Sequence, residues 1–308
     1  MRKKKTRIQL EDVSGTKPYW SYLENLRLRK QSPNTIKMIV FHMKHLALFL
    51  RKNQKELRDM TTDDLYRFRQ SLEKHGLAPQ TVAGSLRHLR SFFRWLSETG
   101  EIFLDPYVGV KLPCPPRPLL RAPTEKEMRK LLAQPDISDK TGVRDRAIIE
   151  LAYSTAIRLD ELTRLSVTDP DLEKGMLRVF GKGSKERIVP LGRQAIYWLK
   201  NYIREARPKL LKGKLDCARL WLGYRDGKPM EDSAIRAMIG HYSGCAGLGR
   251  ISPHAIRRAC ATHMLQNGAH PVQIQLLLGH AKLQTLSHYL RLTITDIKRT
   301  HARSNPGR

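Results

Sequence analysis

Pro113-Cys114-Pro115-Pro116-Arg117-Pro118 is the stretch that decides how this chain is divided. It lies within 106–123, a segment holding six prolines. Proline lacks the amide proton a helix needs and fixes φ, so the segment predicts a semi-rigid, extended linker between two domains. On its N-terminal side, 1–105 reads as four amphipathic helices. The first spans about 18–30 and carries Trp20, Leu23, Leu26 and Leu28. Ser32-Pro33 is an N-cap followed by proline at the first helical position, opening a second helix with Ile36, Ile39, Val40, Met43, Leu46 and Phe49 on one face. Thr62 caps a third, through Leu65, Phe68 and Leu72, which Gly76 ends. The fourth starts near Pro79 and runs through Val82, Leu86, Leu89, Phe92, Phe93 and Leu96 to Gly100, with Arg87, His88, Arg90 and Arg94 on its other face.

On the C-terminal side, 124–308 is mixed but mostly helical. Thr124 followed by Glu127 is a capping box. Helices are expected at about 124–133, 142–155, 160–164, 193–207, 232–244, 253–267, 271–278 and 284–291. Two strands, 176–180 and 186–191, are joined by the turn Gly181-Lys182-Gly183-Ser184-Lys185. The expected fold is mainly α with a small β-sheet: a small helical domain with basic surfaces, the proline linker and an α+β domain.

The chain has 308 residues and a formal net charge of +28. Residues 1–123 carry 24 Lys+Arg against 11 acids, and 124–308 carry 33 against 18. Both halves are basic, so a polyanion touching both domains is the simplest partner, and nucleic acid is the commonest. No apolar run approaches the roughly 18 residues a spanning helix needs, and no apolar stretch follows the basic N-terminus as in a signal peptide. A cytoplasmic protein is expected. The four cysteines, Cys114, Cys217, Cys245 and Cys260, are too widely spaced for a CxxC redox motif or zinc knuckle. No histidine pair is accompanied by acids at ligand spacing, and Gly181-Lys182-Gly183 sits between strands rather than before a helix, so no metal and no nucleotide cofactor is expected.

Chemistry concentrates in five stretches. These are Ser154-Thr155-Ala156-Ile157-Arg158-Leu159-Asp160-Glu161-Leu162; the hairpin from Gly181 to Leu191; Ser252-Pro253-His254-Ala255-Ile256-Arg257-Arg258, continuing to Ala261-Thr262-His263; Leu277-Leu278-Gly279-His280; and Tyr289, nine residues further on. Ser252 and Pro253 start a helix, placing His254 in its first turn with Arg257 on the same face, at an end that attracts phosphate. Gly279 is the left-handed cap that throws His280 into a loop. Taken singly, each has a bland reading. A lone Tyr is more often a core aromatic, Arg158 could simply pair with Glu161, and Lys182 and Lys185 could both be solvated turn lysines.

Together, in this order, these stretches resemble the tyrosine recombinases of the phage-integrase family, most closely the compact Xer-like branch, over roughly 124–308. The four helices before the linker are similar to that family's SAM-like core-binding domain. The resemblance implies that Tyr289 is the nucleophile on a DNA phosphate, giving a 3′-phosphotyrosyl link. A phenol with a pKa near 10 needs surrounding cations for that role. Arg158 and Arg257 would grip the phosphate oxygens, His254 would accept the tyrosine proton or bind phosphate, and His280 would hydrogen-bond the phosphate. Lys182, preferred over Lys185 only through the resemblance, would protonate the leaving 5′-oxygen. Glu161 would hold this region in place.

Lys185, Arg187 and Arg258, with Arg87, Arg90 and Arg94, are expected to contact double-stranded DNA. Three departures from the family pattern stand out: Arg258 where His is common, and Ala156 and Asp160 in place of Gly and Ser beside Arg158. The resemblance further implies a homotetramer, or a hetero-tetramer with a related recombinase, on two DNA sites, with the tail 290–308 docking on a neighbouring protomer. From the length, no additional arm-binding domain is expected. Integration, excision or transposition of a mobile element, or dimer resolution, would be the role. The rivals are relaxation of DNA in the manner of a type IB topoisomerase, and a DNA-binding factor without catalysis.

Overall fold

The computed structural model describes residues 16–116, 121–181, 186–211 and 217–279, in two compact units that divide at Pro118 and Leu119. The first unit is a four-helix array of α1 (Thr16–Leu28), α2 (Pro33–Lys52), α3 (Thr62–Lys74) and α4 (Pro79–Glu98). Ser32 Oγ accepts from the Thr35 amide at 3.2 Å, and Pro33 and Pro79 stand where an unpaired amide would otherwise be lost. α3 is capped by Thr61, one residue before the expected Thr62. Asp64 at the third helical position closes a capping box with Thr61, and no such partner is available to Thr62. Gly76 and Gly100 follow α3 and α4 with φ of +73° and +74°, a turn that costs glycine little. Leu23, Met43, Leu46, Phe68, Leu72, Leu89, Phe92 and Phe93 fill the centre.

The described residues of the proline-rich segment are non-helical, but its first part is not a free spacer. Tyr107 is 1% exposed within the helical core, its ring 5.7 Å from Phe93, and the Thr62 hydroxyl donates to the Pro106 carbonyl at 3.0 Å. A large aromatic one residue after a proline gains more by burial, about 2 kcal/mol, than the chain loses by being ordered there.

The second unit begins with α5 (Glu125–Leu132), capped by the Thr124–Glu127 box, followed by α6 (Lys140–Thr155) and α7 (Leu159–Arg164). A three-stranded antiparallel sheet comes next, in the order β1 (Pro170–Asp171), β2 (Met176–Phe180), β3 (Glu186–Pro190). Leu177 pairs with Val189 and Val179 with Arg187, so all four side chains lie on one face. The expected single helix at 193–207 is α8 (Arg193–Asn201), a π-helical turn over Tyr202–Ala206, and α9 (Arg207–Leu211). Pro208 explains the widened turn: it has no N–H for the Arg204 carbonyl, and its ring needs the space that carbonyl would occupy. α10 (Asp232–Cys245), α11 (Pro253–Gln266) and α12 (Pro271–Leu278) complete the described part. α6 runs through the core of this unit, with Ile148 and Leu151 buried among Leu177, Val189, Tyr202, Trp221, Ile239 and Ile256. The expected helix at 284–291 lies outside the described residues. Among the described residues, no helix is long and apolar enough to cross a membrane.

Candidate active site

Three chain turns converge where α6, α11 and α12 meet. α6 ends at Ala156, which has φ +51° and ψ 27° and is fully buried. This left-handed geometry costs an L-residue about 1–2 kcal/mol, which is why glycine is the natural occupant. The strain is offset because the turn points the Ala156 carbonyl at Arg257, whose Nη1 donates to it. A hydrogen bond from a charged group contributes roughly 1.5–3 kcal/mol, so alanine is tolerated here.

Two residues later Arg158 becomes the N-cap of α7, and Glu161 occupies the third helical position. The Arg158 amide donates to Glu161 Oε2 at 2.7 Å, and Arg158 Nη1 donates to Oε1 at 3.0 Å. From β3, Arg187 adds a two-pronged contact, Nη1 to Oε1 at 2.9 Å and Nη2 to Oε2 at 2.8 Å. Burial pushes the Glu161 carboxyl up, but the hydrogen bonds from Arg187 and Arg158 together outweigh it and leave it below the ordinary carboxylate range. Glu161 is therefore an anion under two arginines. It pairs Arg158, as the simple reading expected, and still leaves that side chain partly exposed.

α11 carries the other pair of expected residues. Ser252 Oγ accepts from the Ala255 amide at 3.2 Å, which places His254 in the exposed first turn and Arg257 on the inner side. Arg257 is buried, and besides Ala156 it donates through Nη2 to the Leu278 carbonyl at 2.7 Å. Arg158 Nη2 donates to the next carbonyl, Gly279, at 3.2 Å. Two guanidiniums, one from the start of α7 and one from α11, thus reach consecutive carbonyls, immediately before His280. Gly279 has φ +61°, as expected of a left-handed cap, and a Cβ there would stand 3.2 Å from the Arg187 guanidinium carbon.

The site is strongly cationic. Desolvation lowers the His254 pKa, and Arg236, Arg257, Arg258 and Arg158 lower it further. At neutral pH its imidazole is therefore uncharged and able to accept a proton. No motif in the sequence marks Arg236. It lies on α10, and only the turn through Gly247 and Gly249 brings that helix back beside α11, so no local spacing ties position 236 to position 254.

Of the remaining expected residues, Lys182, Lys185, His280, Tyr289 and the tail 290–308 lie outside the described residues. Arg87 and Arg94 are exposed on α4, with Arg90 half-buried between them. Arg258 is half-buried and donates to the Arg121 carbonyl at 3.5 Å. Arg187 differs from expectation. Its guanidinium is turned inward onto Glu161 and its side chain is 17% exposed, so it is placed to support Arg158 and not to meet DNA. Strand alternation carried the signal, because Arg187 shares a face with buried Val189 while Ile188 points outward. Among the described residues no three His, Cys, Asp or Glu side chains gather in a way that could hold a metal ion.

Residues 122–295 match the model of the phage integrase family, and 20–100 match the phage integrase N-terminal SAM-like domain. The tyrosine recombinase XerD of Pseudomonas aeruginosa is 39% identical over 234 residues, covering 76% of this chain and 78% of the relative. XerD of Proteus mirabilis is 34% identical over 277 residues, covering 89% and 88%. Among solved structures, the site-specific recombinase XerH bound to palindromic difH substrate superposes with a TM-score of 0.74 at 20% identity, over 92% of this chain and 84% of that one. The Tn1549 transposon integrase in complex with circular intermediate DNA gives 0.71 at 19%, over 92% and 98%. At these identities the structural likeness speaks for the fold, and the sequence matches speak for descent. The chain belongs to the phage integrase family and is a tyrosine recombinase.

Proposed function

We propose that the protein is a site-specific recombinase of double-stranded DNA in which Tyr289 is the nucleophile. The phenolic oxygen attacks the scissile phosphorus and gives up its proton to neutral His254. The bond to the 5′-oxygen breaks, and Lys182 protonates that oxygen as it leaves, so a 3′-phosphotyrosyl ester and a free 5′-hydroxyl result. Arg158 and Arg257 neutralise the charge that builds on the non-bridging oxygens, with His280 as a further hydrogen-bond donor. Attack by a 5′-hydroxyl from the second DNA site reverses the step and joins strands through a Holliday junction. The ester conserves the energy of the phosphodiester it replaces, so the cycle needs neither nucleotide nor metal.

The observation that carries this reading is the meeting of Arg158 and Arg257 on the consecutive carbonyls of Leu278 and Gly279. These guanidiniums hold backbone carbonyls in the free protein, and a phosphate offers stronger acceptors at the same edge. Arg87, Arg90 and Arg94 fit backbone contacts along a duplex, and the excess positive charge of both halves fits a clamp. A tetramer on two sites, alike or mixed with a related recombinase, acting in the cytoplasm, would carry out integration, excision or transposition of a mobile element, or dimer resolution. XerD and transposon integrases both stand among the proteins this chain resembles.

The test is covalent capture. Full-length protein is incubated with fragmented, nicked DNA from the source organism without metal or nucleotide, and SDS-resistant adducts are collected and their DNA ends sequenced. Adducts at one short motif support recombination at a defined site. Adducts scattered without a motif favour topoisomerase-like relaxation, and DNA binding with no adduct favours a factor without catalysis.

A further inference from the structure

Beyond the arginines, α6 and α11 share a second polar contact. The Tyr153 hydroxyl lies 2.7 Å from His263 Nδ1, with the rings edge to face and their centroids 5.8 Å apart. His263 is buried near the C-terminal end of α11. Burial lowers the His263 pKa and keeps the imidazole neutral. A neutral imidazole has one donor and one acceptor, and with its proton on Nε2 the Nδ1 atom accepts from the Tyr153 hydroxyl.

Position on the helices gives this pair its meaning. Tyr153 is three residues before Ala156, whose carbonyl receives Arg257. His263 is six residues after Arg257, about 9 Å along the helix axis. Between the two ties, Cys260 Sγ sits 3.9 Å from the Ser154 carbonyl. One contact would allow α11 to pivot on the end of α6, whereas two contacts separated along the axis prevent both rotation and sliding. Arg158 leaves the end of α6, and His254 and Arg257 ride on α11, so the register of these helices sets the distances among all three.

We propose that Tyr153 and His263 form a latch that fixes the register of α11 against the end of α6, holding His254 and Arg257 in place relative to Arg158. The catalytic meaning of that register rests on the recombinase reading above. Neither residue touches the reacting groups, so both are positioning residues.

The test uses full-length Tyr153→Phe, His263→Asn and His263→Phe proteins, with three readouts: adduct formation on a nicked duplex library, affinity for the same library, and amide hydrogen exchange of the peptide 253–266. Tyr153→Phe removes a single oxygen. It is expected to slow adduct formation about tenfold, to change DNA affinity less than about twofold, and to raise exchange in 253–266. His263→Asn keeps an oxygen able to accept from Tyr153, whereas His263→Phe keeps ring volume without an acceptor. The latch therefore predicts faster adduct formation and slower exchange for His263→Asn than for His263→Phe, and a role in packing alone predicts the reverse. Unchanged exchange in Tyr153→Phe, or the reversed order at position 263, overturns the proposal. If exchange changes as expected while the wild type forms no adduct, the latch stands and the recombinase reading fails.

Discussion

Replacing Glu161 with Gln removes a negative charge from a position that four N–H donors address. The Arg158 amide and Arg158 Nη1, with Nη1 and Nη2 of Arg187, all end on the two carboxylate oxygens at 2.7–3.0 Å. Gln keeps one oxygen, and so two of these contacts. Its NH2 group must then face the other two donors. The Arg187 guanidinium, which the strand turns inward, becomes a cation without a counter-charge. Breaking a buried ion pair from one side costs about 3–5 kcal/mol, and Glu161 is 4% exposed, so solvent offers little relief. For a unit of this size that corresponds to a fall in Tm of roughly 6–20 °C.

The pH dependence has a definite sign. The folded-state pKa of Glu161 lies below its unfolded value, so its contribution is fully present above the unfolded pKa, near 4.3, and is lost as pH falls through the lower folded value. The gap in stability between wild type and Glu161→Gln should therefore be constant near neutrality and begin to close below about pH 4.3. Urea unfolding of both proteins at several pH values measures it. A loss under about 1 kcal/mol at pH 7, or a gap that does not narrow in acid, would mean that Glu161 is not a buried counter-charge to Arg187 and Arg158.

Three further substitutions probe the turns that build the site. Gly279→Ala places a side chain at φ +61° and a Cβ 3.2 Å from an Arg187 group that Glu161 already fixes; thermal unfolding should show a loss of about 1–2 kcal/mol, with slower adduct formation. Ala156→Gly relieves a left-handed alanine but gives up a buried methyl, so a net gain of about 0.5 kcal/mol is expected, and a loss above about 1 kcal/mol would contradict the account of that turn. Thr124→Ala removes the hydroxyl that caps α5 and should cost about 1 kcal/mol in urea unfolding without changing the rate of adduct formation.

What could be read in the sequence follows from how local each cause is. The caps at Ser32, Thr124 and Ser252, the glycine turns at Gly76, Gly100 and Gly279, and the alternation of β2 are decided within a few residues, and the structure has them where the sequence places them. Where two neighbours compete, reading becomes harder: Thr61 and Thr62 are equivalent until Asp64 is counted as the partner in the box. β1 has two residues, too few for alternation to register. Burial of Tyr107 and the inward turn of Arg187 depend on distant partners, Phe93 in one case and Glu161 in the other. For the site, the motif positions of Arg158, Glu161, His254 and Arg257 were legible because their order along the chain is distinctive. Arg236 and the pairing of Tyr153 with His263 arise only when α6, α10 and α11 pack, which no spacing within one helix encodes.

The most direct test of the central claim is the identity of the residue that carries the DNA. Adducts trapped with nicked duplex are digested with protease and nuclease, and the peptide bearing the residual nucleotide is sequenced by mass spectrometry. A 3′-nucleotide is expected on the peptide containing Tyr289, with no adduct from Tyr289→Phe. An adduct that persists in Tyr289→Phe, or a nucleotide mapped to any other residue, would contradict it.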